Sequence, residues 1–310
     1  MIIYTDDTDC AERFLVDKDI PREKSSVNED SPVSPLIKRI FKTGNLYTFS
    51  EAQDQTWSHL LIAKSAPESQ YDILVDMARK NIPLPSGIIC LAGEGRKFHG
   101  FRGRYWDSPE GNIYLSAHFA PNLPIRNYGA GFMILAAVSV VDAIDEVPGL
   151  SGRAGVKWVN DILIDDAKVC GVLAHTIAEN HVVTNAIIGI GLNVETRPRT
   201  EPTVFVPRAA SLAEFVSGQD FYTRRLLFSL LKKTIHQNYQ TLINGGFRNL
   251  LDRYCRRSNI IGRDVIIYDD TENDIPAKTG EGRVISIGEN LELFIEGLEK
   301  PVKRGRLAFK

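Results

Sequence analysis

A chain of 310 residues has room for one large domain and one small one. Hydrophobic residues at 43% and charged residues at 25% match an ordinary globular protein and exclude a disordered or fibrous one. The formal net charge of −2 gives no overall attraction to nucleic acid or to an anionic membrane, so neither is expected as a partner.

Residues 1–45 are polar, acidic and punctuated by Pro21, Pro32 and Pro35. They are expected to form a mobile or loosely docked extension, and they carry no recognisable helix-turn-helix. Met1 to Cys10 contains Asp6, Asp7 and Asp9 and lacks the basic-then-apolar order of a signal peptide. No apolar run approaches the ~18 residues of a membrane helix. Cys10, Cys90, Cys170 and Cys255 are widely scattered, which suits neither a zinc site nor a disulfide framework. A reduced cytoplasmic setting is expected, and no metal-ligating residues are identified.

From Leu60 the pattern becomes regular. Leu60–Ala63 reads as a strand, and Tyr71–Lys80 carries Ile73, Leu74, Met77 and Ala78 at helical spacing. Pro83 and Pro85 end that helix before a buried strand, Gly87–Ala92. A Gly- and Arg-rich loop, Gly93–Gly103, leads to a strand at Asn112–Ser116. Ala130–Ile144 is apolar nearly all round, the mark of a buried helix. Strands are predicted at Val156–Val159, Asp161–Ile164, Lys168–Ala174 and Val182–Gly189, with a tight turn at Asp165-Asp166. Phe221–Arg257 reads as two helices broken at Gly245-Gly246. Beyond Ser258 come short strands at Val265–Tyr268, Gly282–Ile287, Leu291–Ile295 and Val302–Phe309, the pattern of a small β-barrel. The expected organisation is thus 1–45 extension, 46–257 mixed α+β domain and 258–310 small β domain.

Three segments carry chemistry. Gly93-Glu-Gly-Arg-Lys-Phe-His-Gly-Phe-Arg-Gly-Arg104 combines flexible backbone with cations, as a loop closing on phosphate requires, although solvated turns share that composition. Trp106 follows, able to cover a ligand or simply to fill core. Lys157-Trp-Val-Asn-Asp161 sets a cation and a carboxylate between apolar runs; strand alternation would send Lys157, Val159 and Asp161 to one side. Lys168, across the turn and near Gly171, is placed to clamp a developing negative charge. Gly189-Ile-Gly-Leu-Asn193 marks close approach by a ligand or another backbone.

Taken in order, Arg102-Gly-Arg104, Trp106, Ser108-Pro109, Gly111-Asn-Ile-Tyr-Leu-Ser116, Lys157-Trp-Val-Asn-Asp161, Lys168-Val-Cys-Gly-Val-Leu173 and Gly189-Ile-Gly-Leu-Asn193 resemble the biotin–protein ligase family. The resemblance runs from roughly Ser69 to Asn193. It implies a class II aminoacyl-tRNA-synthetase-like α+β catalytic domain with a mixed sheet, followed by an SH3-like β-barrel. It implies ATP and Mg²⁺ as cofactors, biotin as substrate, formation of biotinyl-AMP, and transfer to a lysine on the biotin-carrier domain of a carboxylase or decarboxylase.

By the same resemblance Lys168, Asp161, Arg102 and Arg104 would be catalytic. Ser116, Gly171, Gly189, Gly191, Gly95 and Tyr114 would bind biotin. Arg102, Arg104, Trp106, His99, Gly100, Asn193, Lys157 and Asn160 would bind ATP or the adenylate. The chain departs from the family pattern at four places. Gly95 stands where the family has a biotin-contacting glutamine, and His99 and Phe101 stand at loop arginines. Ser69-Gln-Tyr71 replaces a Ser-Thr-Asn element. Two alternatives stay open: a lipoate or octanoate ligase or transferase, whose usual Arg-Arg-x-Ser-Gly-Gly-Gly loop is missing here, and a biotin- or nucleotide-binding protein with a decayed site.

Overall fold

The computed structural model describes residues 1–15, 23–41, 45–51, 56–216, 223–270 and 276–310. Its large sheet contains β1 (Ile2–Thr5), β2 (Tyr47–Ser50), β3 (His59–Ala66), β4 (Ile88–Gly95) and β5 (Ile113–Phe119). The same sheet continues with β6 (Leu123–Pro124), β7 (Ala154–Lys157), β8 (Asp161–Ile164), β9 (Ala167–Glu179) and β10 (Val182–Leu192). The spatial order is β2-β1-β3-β4-β5-β10-β9-β8-β7, with β6 pairing on β10. The β1–β3 and β3–β4 pairs are parallel and the others antiparallel, so the sheet is mixed as expected.

Both faces of this sheet are covered. Along β3, Leu60 and Ile62 enter one core while Leu61 and Ala63 enter the other, the alternation that a pleated strand imposes. A strand buried on both faces reads as an unbroken apolar run, which is why Leu60–Ala63 and Ile88–Ala92 lack polar partners in sequence. The first face packs on α4 (Tyr128–Asp145), α5 (Arg224–Ile243) and α6 (Phe247–Arg256); the second packs on α2 (Ser34–Ile40) and α3 (Gln70–Arg79), while α1 (Thr8–Glu12) adds to the first. α4 is buried on nearly every side. By length and composition it would cross a membrane, but its apolar surface is taken up by β9, α5 and α6, as a core helix. The Thr223 hydroxyl caps α5, and Gly245, at φ +83, makes the break before α6.

A second, antiparallel sheet holds β11 (Asp264–Tyr268), β12 (Lys278–Ile287), β13 (Leu293–Ile295) and β14 (Arg306–Phe309) in the order β13-β12-β11-β14. Two expected strands shorten: β13 starts at Leu293 rather than Leu291, and Val302 keeps only an isolated bridge to Leu293. Val265, Ile267, Val284 and Leu293 extend the large core, so this small unit is docked rather than tethered.

The expectation of a loose extension at 1–45 is corrected for its described part. β1 lies inside the large sheet, Ile3 and Phe14 are buried, and Val33, Leu36 and Ile37 build the second core. The average polarity of the segment hid two short apolar runs, whose partner β3 lies some distance along the chain; local pattern does not reveal such pairing. Residues 16–22, with Pro21, and 42–44 lie outside the described residues, as does Phe221, where the first C-terminal helix was expected to begin.

Candidate active site

The floor of the site is where β9 and β10 run side by side. Gly171 and Gly191 are register partners there, and Gly189 pairs with Leu173 and with Ser116 of β5. Three glycines leave a trough in an otherwise well-filled sheet. Large side chains lie in it: a Cβ on Gly191 would be 2.8 Å from the Trp106 indole, one on Gly171 3.0 Å from the same ring, and one on Gly189 3.0 Å from Tyr71. Above the trough a cavity of ≈ 290 Å³ opens, close to the lower end of the range for a small-molecule site.

The hairpin β7–β8 forms one wall, and each residue of Lys157–Asp161 has a separate contact. Lys157 and Asp161 are direct cross-strand partners. They share a side because they pair across a tight turn rather than by alternation along a single strand, and Val159 lines the same cavity. Lys157 is buried, donates to the Phe205 carbonyl and lies 5.2 Å from the Phe309 ring. Burial lowers its pKa to about 8, with Lys168 and Arg306 adding to the fall against the opposing pull of Asp161. Trp158 donates to the Leu291 carbonyl at 2.6 Å, fastening the hairpin to the small domain, and the Asn160 amide donates to Val172 at 2.9 Å. Asp161 accepts an ion pair from Lys168 at 2.6 Å, both side chains being largely shielded at 18% and 17% exposure. The Lys168 ammonium also stands 5.1 Å from the Trp106 ring.

The loop after β4 supplies the cover. His99, Gly100 and Arg104 line the cavity. His99 Nε2 meets the Asp72 carboxylate of α3 at 2.8 Å, and Nδ1 meets the Gly100 carbonyl at 3.0 Å. Burial works against a charged ring, but the two acceptors outweigh it and the imidazole pKa is raised. On the far side, the Asn193 amide donates to Ala210 at 3.0 Å and leaves its buried Oδ1 with no partner among the described residues. An anion-accepting end, an unfilled acceptor and an aromatic plate therefore surround one space.

The sequence model described as the biotin/lipoate A/B protein ligase family matches residues 69–193, the stretch that contains loop, hairpin and glycine trough. Over that stretch the chain is similar to the family. Among relatives of this ligase family, the bifunctional ligase/repressor BirA of Bacillus subtilis is 35% identical over 140 residues, 45% of this chain and 42% of that protein. The biotin–[acetyl-CoA-carboxylase] ligase of Paracoccus denitrificans is 34% identical over 113 residues, 35% of this chain and 42% of that one. The chain thus matches less than half the length of each of these two. The fold is that of the biotin protein ligase from Aquifex aeolicus solved with biotin and ATP, at TM-score 0.61 and 22% identity, covering 82% of this chain and 99% of that one.

Most residues expected from the ligase resemblance meet in one place. Arg104, Trp106, Tyr114, Ser116, Lys157, Asn160, Asp161, Lys168, Gly171, Gly189, Gly191 and Asn193 all line the cavity. Two do not. Arg102 is corrected: it sits in a left-handed conformation at φ 59, and its guanidinium is paired with Asp270, outside the cavity wall. Gly95 is corrected as well: a Cβ there would lie 2.6 Å from the Phe98 ring, so its small size serves the folding-back of the loop rather than a ligand. Phe98, in turn, packs edge-on against Tyr114 at 5.6 Å. Sequence reasoning missed a third wall, from Pro198 to Ala209 with Phe205 at its centre, and a fourth contribution from Arg306 of β14. The first has no periodicity to flag it; the second could have been noticed as a lone cation entering an apolar final strand.

Proposed function

We propose that this chain is an ATP-dependent ligase that forms biotinyl-5'-AMP and passes biotin to a lysine of a biotin-carrier domain, in a carboxylase or decarboxylase. The observation carrying this reading is the Lys168–Asp161 pair, with Arg104 and Lys157 lining the same cavity above a trough of three glycines. The substrate carboxylate attacks the α-phosphorus of ATP, forming an acyl-phosphate bond as the bond to pyrophosphate breaks. The acceptor amine then attacks the acyl carbon, loses a proton, and AMP departs. Neither step needs an enzyme nucleophile. Each needs alignment and positive charge beside oxygens whose charge grows, which Lys168 and Arg104 are placed to supply.

Trp106, stacked on the trough, is assigned to the adenylate, and Asn193 Oδ1 to a nucleotide donor group. Ser116 and Tyr114 are assigned to biotin. His99, its imidazole pKa raised by the Gly100 carbonyl and Asp72 against the effect of burial, is assigned to the position of a family arginine. Among the described residues no cluster of three ligating side chains forms a metal cage. Mg²⁺ carried on ATP phosphates needs only one or two protein carboxylates; Asp161 fits as that ligand, and the ion would neutralise phosphate charge. The domain limits 46–257 and 258–310, a class II synthetase-like catalytic unit and an SH3-like small domain belong to the same reading. So does a cytoplasmic setting, which four free cysteines favour.

The deciding experiment is ATP–pyrophosphate exchange with biotin, lipoate and octanoate offered separately. Exchange with biotin alone, followed by labelling of a carrier domain, is the expected result. Exchange with lipoate instead would reassign the substrate, and no exchange with any acid would leave a binding protein.

A further inference from the structure

The hairpin that carries Lys157 and Asp161 ends the large sheet, so β7 has a strand on one side only. The chain that leaves α6 takes the other side. The Val156 amide donates to the Arg257 carbonyl at 2.7 Å, and the Asn259 amide donates to the Val156 carbonyl at 3.0 Å. Arg257 Nε donates to the Ala154 carbonyl at 3.0 Å. A helix end thus satisfies a strand edge that would otherwise stand open. α6 is itself fixed against α4, where Arg253 pairs with Asp142 and Arg257 with Asp145.

Between those two arginines in the chain stands Tyr254, fully buried at 0% exposure. A phenol without access to water needs a partner inside the protein. Its hydroxyl donates to the Val159 carbonyl at 2.9 Å. Burial drives its pKa far up, with Cys255 and Asp161 adding to the rise, so the group stays a donor. Val159 is the middle one of the three residues that join Lys157 to Asp161, and all three line the cavity. Each is held by a different part of the protein: Trp158 by the Leu291 carbonyl, Asn160 by Val172 of β9, and Val159 by Tyr254.

We propose that Tyr254 is a positioning residue for adenylate formation: through the Val159 carbonyl its hydroxyl holds the hairpin tip, and so sets Lys157 and Asp161 at the reacting end of the cavity. Lys168 is set with them, because it is paired to Asp161. Tyr254 does not line the cavity, so its influence passes through the backbone of the tip. α6 thereby governs the geometry of a site to which it contributes no lining side chain. This rests on the ligase reading for the identity of the reaction.

The test compares Tyr254→Phe with Tyr239→Phe, using the full chain. Tyr239, on α5, has a hydroxyl contact with Ser86 and lies outside the cavity lining, so its variant reports what losing a core phenol does to the fold alone. In Tyr254→Phe, kcat for pyrophosphate exchange with biotin should fall at least about tenfold, because displacing reacting groups by ~1 Å can cost about 10²-fold. The KM for biotin should stay within about twofold, the mark of a loss felt in the transition state. A crystal structure should show the hairpin tip moved. Tyr239→Phe should keep its exchange rate whatever happens to its Tm. Exchange by Tyr254→Phe within about twofold of wild type, an unmoved tip, or equal slowing by both variants overturns the proposal. If Tyr254→Phe does not fold in buffer, trimethylamine N-oxide, which strengthens burial, is added to variant and wild type alike. A refolded variant with the wild-type rate overturns the proposal, and one still slowed about tenfold supports it. Failure of the wild type to exchange pyrophosphate with any acid would sink the ligase reading, while the comparison of structures would still judge whether Tyr254 places the tip.

Discussion

The Trp106 indole lies so close over Gly191 that a single added methyl would stand 2.8 Å from it. Gly191 is held in register with Gly171 across β9 and β10, and its sheet position is not free to yield. Gly191→Ala should therefore displace the indole rather than the strand. Overpacking of this kind costs about 1–3 kcal/mol, and the moved ring should lower adenylate affinity. A crystal structure or a shifted tryptophan emission spectrum checks it; an unmoved Trp106 with unchanged affinity would contradict the tight trough.

Lys168→Ala should cut adenylate formation steeply while the chain still folds. Removing one preorganised positive group from a developing oxyanion costs roughly 10²–10³ in rate. Asp161 is left unpaired in a shielded position, so some loss of stability accompanies the loss of rate. Pyrophosphate exchange and the thermal midpoint, measured together, separate the two effects. Full exchange activity would remove Lys168 from the mechanism.

Lys157 yields a pH prediction with a definite sign. Burial brings its pKa from 10.5 to about 8. Between those values the unfolded chain holds the extra proton, so this group's contribution to stability rises with pH across that window. Ligand binding runs the other way, because a phosphate favours the ammonium form. ATP binding near pH 8 should take up a fraction of a proton and weaken as pH rises further. Calorimetry in two buffers of different ionisation heat measures the uptake; Lys157→Met should erase it.

His99 and Asp72 make a second titration. The folded pKa of His99 is raised above 6.5, so the contact's stabilisation is full below the unfolded value and is lost as pH climbs through the folded one. Asp72→Asn removes the carboxylate 2.8 Å from Nε2 and should move the imidazole midpoint downward in an NMR titration. If His99 replaces a loop arginine, the same variant should shift the pH-dependent loss of activity toward lower pH. A midpoint that stays put would mean that Asp72 does not govern the charge.

Much of the architecture could be read from residues alone, and for a stated reason. Leu60–Ala63, Gly87–Ala92 and Ala130–Ile144 are apolar in runs whose length and neighbours leave one sensible element each, and the structure places β3, β4 and α4 there. The hairpin around Asp165-Asp166 and the break at Gly245-Gly246 follow from local backbone chemistry, which travels with the sequence. The ordered motifs between Ser69 and Asn193 likewise named the cavity before it was seen, since loop, hairpin and glycine strand are each short and local.

What remained for the tertiary structure depends on partners far apart in the chain. Arg102 and Arg104 are two residues apart in one loop, yet Asp270 draws the first to the small domain while the second stays at the cavity. Ile3 looked like part of a tail until β3 stood beside it. Arg306 stands in the last strand of the small domain, and only long-range packing beside Phe205 brings it to the cavity wall. Local sequence decides which elements form, because propensity and periodicity act over a few residues; only long-range packing decides which charges meet, because that depends on which elements come to lie next to one another.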